Sequence, residues 1–343
     1  MKRPANLPVF SFLGHRDLIL RIYIDGYNLY YGSLKHGPNR WLDPIKLITQ
    51  VIKESAPPHL LYTTDIEVKV KYFTSLVEPK VTFSHTAKRD QEAYHSALLA
   101  SYSEDVLDII YGYHSVRPYN QRLVDEDNPK SLHPGCENVS VWRIEEKQTD
   151  VNIAVEAMKD ALTDSRQQHM VFVSNDTDFV RLYKTLQTME NVDVGIVTPG
   201  LEESRSPTGV LAECSSWLRL YFKSEELEAA QLPYKITEQQ REQLPIKLPI
   251  RKPIEWFAQS RLAMETFEVL YAALGKRNKV FQWLEQEPYP TSIEGLDPLP
   301  RPAIDLLDES DSAEHVLRHA LKYAAHIEDG KQLTNNEPLR IGA

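Results

Sequence analysis

The chain has 343 residues, 42% of them hydrophobic and 26% charged, which excludes a largely disordered polypeptide and suggests about two domains. Its 39 basic and 49 acidic residues give a formal charge of -10, opposite in sign to a protein that coats nucleic acid electrostatically, so any polyanion must meet a local basic patch. No apolar run approaches the ~18 residues needed to cross a bilayer, so no membrane role is expected. The short apolar patch at 9–13 runs into His15, Arg16 and Asp17 instead of a secretory cleavage site. Cys136 and Cys214 have no neighbours in metal-ligand spacing, which argues against a disulfide framework or structural zinc and fits a reducing cytoplasm.

An N-terminal extension, 1–17, precedes the first element. Residues 18–24 (LILRIYI) are almost continuously apolar, as in a strand buried on both faces. Asp43 and Pro44 predict the start of a helix over 44–55. A strand at 66–77, a helix at 87–101 and a β-rich stretch at 107–116 follow. Residues 117–138 carry three prolines and a glycine and read as a long excursion able to cover or shape a substrate groove. Strand character returns at 139–144. A helix over 150–162 puts Val151, Ala154, Val155, Met158 and Leu162 on one face. Then come a strand at 170–173, a helix at 178–189, a strand at 192–197 and a closing helix at 209–222. Strands alternating with helices define an α/β fold with a mostly parallel sheet and helices on both faces, over 18–231.

Four prolines (Pro233, Pro245, Pro249, Pro253) mark a linker at 232–253. Helices at 261–274, 280–285 and 313–327 then make a small, mainly helical domain over 254–330, followed by a tail, 331–343.

Three acidic places fall at strand ends or helix starts: Asp25 before Gly26, Asp150 after Lys147-Gln148-Thr149, and Asp176 and Asp178 directly after the 170–173 strand. Ligand sites in parallel α/β sheets form beyond the carboxyl ends of strands, where Asp25 and Asp176 meet if their strands are neighbours. Each aspartate alone also reads as an ordinary cap or turn residue. Four carboxylates at one sheet edge, however, repel one another unless a cation neutralises them, and an all-oxygen set suits Mg²⁺ or Mn²⁺.

The segments Asp25-Gly26-Tyr27-Asn28, Lys147-Gln148-Thr149-Asp150 and Ser174-Asn175-Asp176-Thr177-Asp178-Phe179 resemble the three signatures of the NYN domain, a LabA-like branch of the PIN-like nucleases. Asn175 stands where that family usually has glycine. The resemblance implies a PIN-like, Rossmann-like fold and a divalent-metal-dependent ribonuclease. Asp25, Asp150, Asp176 and Asp178 would then be catalytic metal ligands, with RNA as substrate and 5′-phosphate and 3′-hydroxyl products. Asn28 either positions a water or phosphate oxygen or caps the following helix. Lys147 either contacts the scissile phosphate or pairs with Glu145 or Glu146. Lys69, Lys71, Lys80, His85, Lys88 and Arg89 form the most basic stretch, a source of phosphate contacts or simply a solvated surface, with Lys88 and Arg89 the substrate-binding candidates. Tyr27, Tyr30 and Tyr31 either stack on a base or belong to the core.

His315 and His319, four apart on a helix, lack the glutamate of a zinc hydrolase motif and read as a solvated face. The C-terminal part, through Phe281-Gln282-Trp283-Leu284, 293–299, Leu306-Leu307 and Glu328-Asp329-Gly330, resembles the ParS/MbcA-type antitoxin toxin-binding domain. That implies a protein partner or self-association. The competing functions are a non-catalytic RNA-binding or scaffold protein and the nuclease component of a toxin-antitoxin or defence system regulated through this domain.

Overall fold

The computed structural model describes residues 18–60, 66–79, 82, 84–136, 138–202, 209–237, 249–286 and 297–335. The readings made for 1–17, Lys80, 238–248, 293–296 and 336–343 lie outside the described residues. The chain divides into two compact units, Met1–Ser33 with Asp43–Ala230, and Leu34–Leu42 with Gln231–Ala343. Among the described residues no helix is long and apolar enough to cross a membrane.

The first unit is built on six strands: β1 (Leu18–Asp25), β2 (Glu67–Thr74), β3 (Leu107–Tyr111), β6 (Gln167–Val173), β7 (Val192–Val197) and β8 (Trp217–Arg219). All neighbours are parallel, in the order β3-β2-β1-β6-β7-β8. This is an α/β, PIN-like architecture. β1 is central and buried on both faces, as its unbroken apolar run requires. The strand order runs outward in both directions from β1 and β6, so the topological switch point lies between these two, the place where such sheets leave a crevice.

Alternation along the strands sends Tyr23, Phe73 and Phe172 to one face, where Tyr23 stacks on Phe172 with ring centroids 4.8 Å apart. Ile153 and Ala157 of α4 (Thr149–Thr163), Leu182 and Tyr183 of α5 (Val180–Leu186) and Leu211 of α6 (Gly209–Glu213) complete this core, and a short helix α7 (Ser224–Ala229) follows the last strand. Helix α2 (Pro44–Ser55) starts as its sequence dictates: the Asp43 side chain accepts from Lys46 N at 3.0 Å, with Pro44 in the first turn.

Several readings change in this unit, among them the apolar face of α4, where Val151, Val155 and Leu162 are exposed and Ile153, Ala157 and Ala161 are buried instead. The expected closing helix stops at Glu213, and Trp217–Arg219 adds the sixth strand, Gly195 pairing with Trp217. The excursion is partly regular: β4 (Tyr113–Gln121) and β5 (Val139–Lys147) form a separate two-stranded antiparallel ribbon. The helix expected at 178–189 begins as a 3-10 turn, Thr177–Phe179, and α5 ends at Leu186.

The short helix α1 (Gly26–Leu29) leaves β1 against the neighbouring strand. A Cβ on Gly26 would lie 2.7 Å from the Phe73 carbonyl oxygen and 2.9 Å from the Tyr72 ring, and a strand carbonyl has no room to retreat. Gly26→Ala is therefore expected to cost about 1–3 kcal/mol, read as a lower urea midpoint at unchanged m. An unaltered midpoint would show that the turn has slack.

The second unit packs α8 (Ser260–Leu274), α9 (Arg277–Leu284), α10 (Ala303–Leu306) and α11 (Ser310–Asn335) around Phe281, Trp283, Leu284, Leu306 and Leu307. Part of the segment read as linker is folded here. β9 (Lys235–Ile236) pairs with β10 (Ile250–Arg251), and Lys235 and Arg251 both bind Glu285, at 2.5 and 2.6 Å. The histidine pair does not face solvent as expected. His319 is buried, and the Nε2 atoms of His315 and His319 lie 3.0 and 2.8 Å from the Asp297 carbonyl oxygen.

Candidate active site at the carboxyl edge of the sheet

β1 and β6 pair directly, Ile24 opposite Val173, so the residues that follow each strand emerge side by side. Asp25, 4% exposed, caps α1: one oxygen accepts from Asn28 N at 2.9 Å and the other from Asn28 Nδ2 at 2.8 Å. Ser174 Oγ also donates to Asp25, at 3.1 Å, and accepts from Asp176 N at 3.1 Å, stitching the two strand ends together. Asp176 Oδ1 accepts from Asp178 N at 2.8 Å, the Asx geometry that shapes the 3-10 turn. The side-chain Oδ1 of Asn28 accepts from Asn175 N at 3.4 Å. Asn28 thus donates its backbone N–H to the Asp25 cap and orients Asp25 through its side chain.

Burial raises the Asp25 carboxyl above the usual range, partly offset by its Asn28 and Ser174 hydrogen bonds, while the charge of Asp176 adds to the rise. Asp150, in the first turn of α4, is pushed up to about 6 by partial desolvation and by the charges of Asp25, Asp176, Glu146 and Asp178. The residues singled out from three distant segments therefore share one electrostatic field.

Glu146 is the acidic neighbour the motifs did not single out. Its Oε1 accepts from Ser75 Oγ at 3.1 Å and closely from Thr149 Oγ1, and burial followed by the charge of Asp25 raises its carboxyl. The available signal is its place on β5, on the opposite face from Glu145 and Lys147. Between Glu146 and Asp150 the chain turns sharply at Gln148, which has φ 76°, a left-handed conformation that costs a non-glycine residue energy and is held by its surroundings. Gly112 permits this: a Cβ there would fall 2.5 Å from the Lys147 carbonyl oxygen and 2.6 Å from Thr149 Oγ1.

Lys147 lies beside the cluster but pairs with Glu145 at 2.8 Å. Lys88 pairs with Glu92 at 4.0 Å and Arg89 with Asp90 at 2.9 Å, all on α3 (Ala87–Ser101), and neither is among the charges that weigh most on Asp150. The Tyr27 hydroxyl is engaged with His114 Nε2 at 2.8 Å, whereas Tyr31 is 57% exposed. An open groove of about 480 Å³ adjoins the cluster, with Asp150, Asp178 and Arg181 around an apolar floor that includes Val151, Ala154, Met158 and Leu182.

The donor chemistry fits a hard divalent cation, since every candidate ligand is a carboxylate. Among the described residues, however, no three His, Cys, Asp or Glu side chains already form a metal-binding group, so an ion would have to draw these carboxylates together.

A six-stranded parallel sheet in this order, with helices packed on it, defines an α/β protein of PIN-like fold. The NYN domain profile matches residues 20–219, more than half of the chain, and the chain belongs to the NYN domain family. It is 31% identical over 326 residues, 92% of this chain and 98% of the relative, to 6-hydroxy-3-succinoylpyridine 3-monooxygenase HspA of Pseudomonas putida (strain DSM 28022 / S16). A crystal structure of a protein of unknown function from Vibrio parahaemolyticus RIMD 2210633 aligns with a TM-score of 0.35 at 17% identity, covering 62% of this chain and 96% of that one.

Proposed function

We propose that this chain is a divalent-metal-dependent ribonuclease hydrolysing RNA phosphodiester bonds at the acidic crevice. The observation that supports the reading most is Asp150, whose carboxyl is pushed up to about 6 by partial burial first and then by the charges of Asp25, Asp176, Glu146 and Asp178. A purely binding surface gains nothing from negative charge turned toward phosphates. Asp25, Asp150, Asp176 and Asp178 are the residues that would hold Mg²⁺ or Mn²⁺. When bound, such an ion acidifies water and offsets charge on phosphate oxygens. Asn28 and Ser174 fix the Asp25 carboxylate and keep one edge of the crevice rigid. Asp150 carries a carboxyl raised by burial and by its acidic neighbours, a conflict that a bound cation would relieve. A short fluorescent RNA is expected to be cut by the full-length protein with Mn²⁺, and to stay intact with EDTA or with Asp176→Asn. Equal cleavage by a folded Asp176→Asn protein would remove the site assignment.

A second reading, oxygenation of a heteroaromatic acid, is favoured by the similarity to HspA, which extends beyond residue 219, and by the apolar groove with Arg181 at its edge. Incubation with 6-hydroxy-3-succinoylpyridine, dioxygen and a reduced nicotinamide separates the two. Hydroxylated product without RNA cleavage would transfer the assignment to this second chemistry.

A further inference from the structure

The ribbon of β4 and β5 stands apart from the central sheet, yet its base is built into the acidic crevice. There Glu146 is held by Ser75 and Thr149, and His114 by Tyr27 and the Leu76 carbonyl oxygen at 2.9 Å. An isolated two-stranded ribbon is marginal in water, and this one leaves Trp142 67% and Tyr113 53% exposed.

Its register sorts the side chains into two faces. Tyr113, Ser115, Arg117 and Tyr119 share one face with Lys147, Glu145, Arg143 and Val141. On this face Glu145 meets all three cations: Lys147 at 2.8 Å, Arg117 at 3.8 Å, and Arg143 closely. Three positive charges against one negative leave a net of two positive, a local reversal in a chain of charge -10. Glu145 gathers these cations on one face of the ribbon, and the Arg143 guanidinium lies 4.7 Å from the Tyr119 ring centroid. Each strand has nine residues, a span of roughly 30 Å. The acidic Asp125, Glu126 and Asp127 sit in the turn beyond and bound the track.

From this alternation of cations and aromatic rings, leading away from the carboxylates, we infer that the Tyr113–Arg117–Tyr119 face of the ribbon binds single-stranded RNA and feeds it to the crevice. Arginines meet phosphates and tyrosines stack on unpaired bases, which a duplex keeps inside its own stack. The inference rests on the ribonuclease reading for the chemistry of the strand.

The test uses the full chain in EDTA with a fluorescein-labelled, unstructured 15-nucleotide RNA, and anisotropy titrations over a range of salt. Arg117→Gln/Arg143→Gln is expected to weaken binding at least about tenfold and to make the log–log salt slope shallower by about 1.4. A duplex of the same sequence should bind more weakly to the wild type and respond less to the substitutions. Hydrolysis of bis(p-nitrophenyl) phosphate with Mn²⁺, a substrate too small to reach the ribbon, should be unchanged. If the double variant lowers the melting temperature, Arg117→Gln and Tyr119→Ala singly carry the test. Unaltered RNA affinity, or equal losses for duplex and single strand, would overturn the inference. Loss of RNA binding in a protein that never hydrolyses the small phosphodiester would leave the RNA surface standing and defeat the ribonuclease reading instead.

Discussion

Asp150→Asn is expected to lower Mn²⁺-dependent RNA cleavage by at least about 10²-fold while making the folded chain more stable at neutral pH. The two effects have one origin. Asp150 is lifted from an ordinary 3.8 to about 6, by lost hydration first and then by Asp25, Asp176, Glu146 and Asp178. The folded protein therefore holds this proton more tightly than the unfolded chain. Between about pH 4 and pH 6 the folded state binds more protons, so this group's contribution to stability falls as pH rises and levels off above about 6. Asp150 keeps an exposed surface, so water screens part of the repulsion. Against the gain stands the favourable placement of an anion in the first turn of α4, typically about 0.3–1 kcal/mol. The upward direction of the shift says that repulsion and burial outweigh it. In thermal melts the variant should match the wild type near pH 4 and exceed it increasingly up to about pH 6. Mn²⁺ at pH 7 should close the gap by stabilising the wild type alone. A variant less stable than the wild type at pH 7 would mean that the carboxylates are not in conflict.

What the sequence made legible is local or strongly periodic. The apolar run of β1, the Asp25-Gly26 exit and the Ser174–Asp178 turn each announce themselves, because burial on two faces and tight turns restrict which residues serve. That β1 and β6 are neighbours is a non-local fact, and the meeting of Asp25 with Ser174 depends on it. β8 was hidden for a similar reason: three residues gain strand character only by pairing with β7, so they read as the end of a helix. Pro118 and the polar residues around it disguised β4, since proline is tolerated in an exposed ribbon though not in a central strand. Glu146 escaped notice because its contacts come from the face of β5 it occupies and from Ser75, just past the end of β2. The candidate carboxylates could be named from local motifs, whereas the contacts that hold Asp25 required the pairing of distant segments.

Asp160→Ala should be the most destabilising of these substitutions, costing roughly 3 kcal/mol. Asp160 lies on α4 ten residues after Asp150, about 15 Å along the same helix, and the residue is 8% exposed. It accepts from the Tyr23 hydroxyl at 2.7 Å and from Lys71 Nζ at 2.6 Å, with Arg21 at 3.5 Å, so it ties α4 to both β1 and β2. Removing it strands the hydroxyl of a tyrosine 2% exposed and leaves a local excess of positive charge. The cost stays below that of a bare buried cation because Lys71 keeps Glu156 at 2.7 Å and Arg21 keeps Asp164 at 2.8 Å. Asp160→Asn, which retains an acceptor for Tyr23 but no charge for Lys71, should fall between wild type and alanine. In a cycle with Tyr23→Phe, the double variant with Asp160→Ala should lose less than the sum of the two single losses, because the phenol no longer needs a partner. Additive losses in urea melts would show that Tyr23 and Asp160 are not coupled and that α4 is registered by its apolar face alone. Coupled losses, with cleavage declining in the same order, would mean that this pin sets where Asp150 stands relative to Asp25.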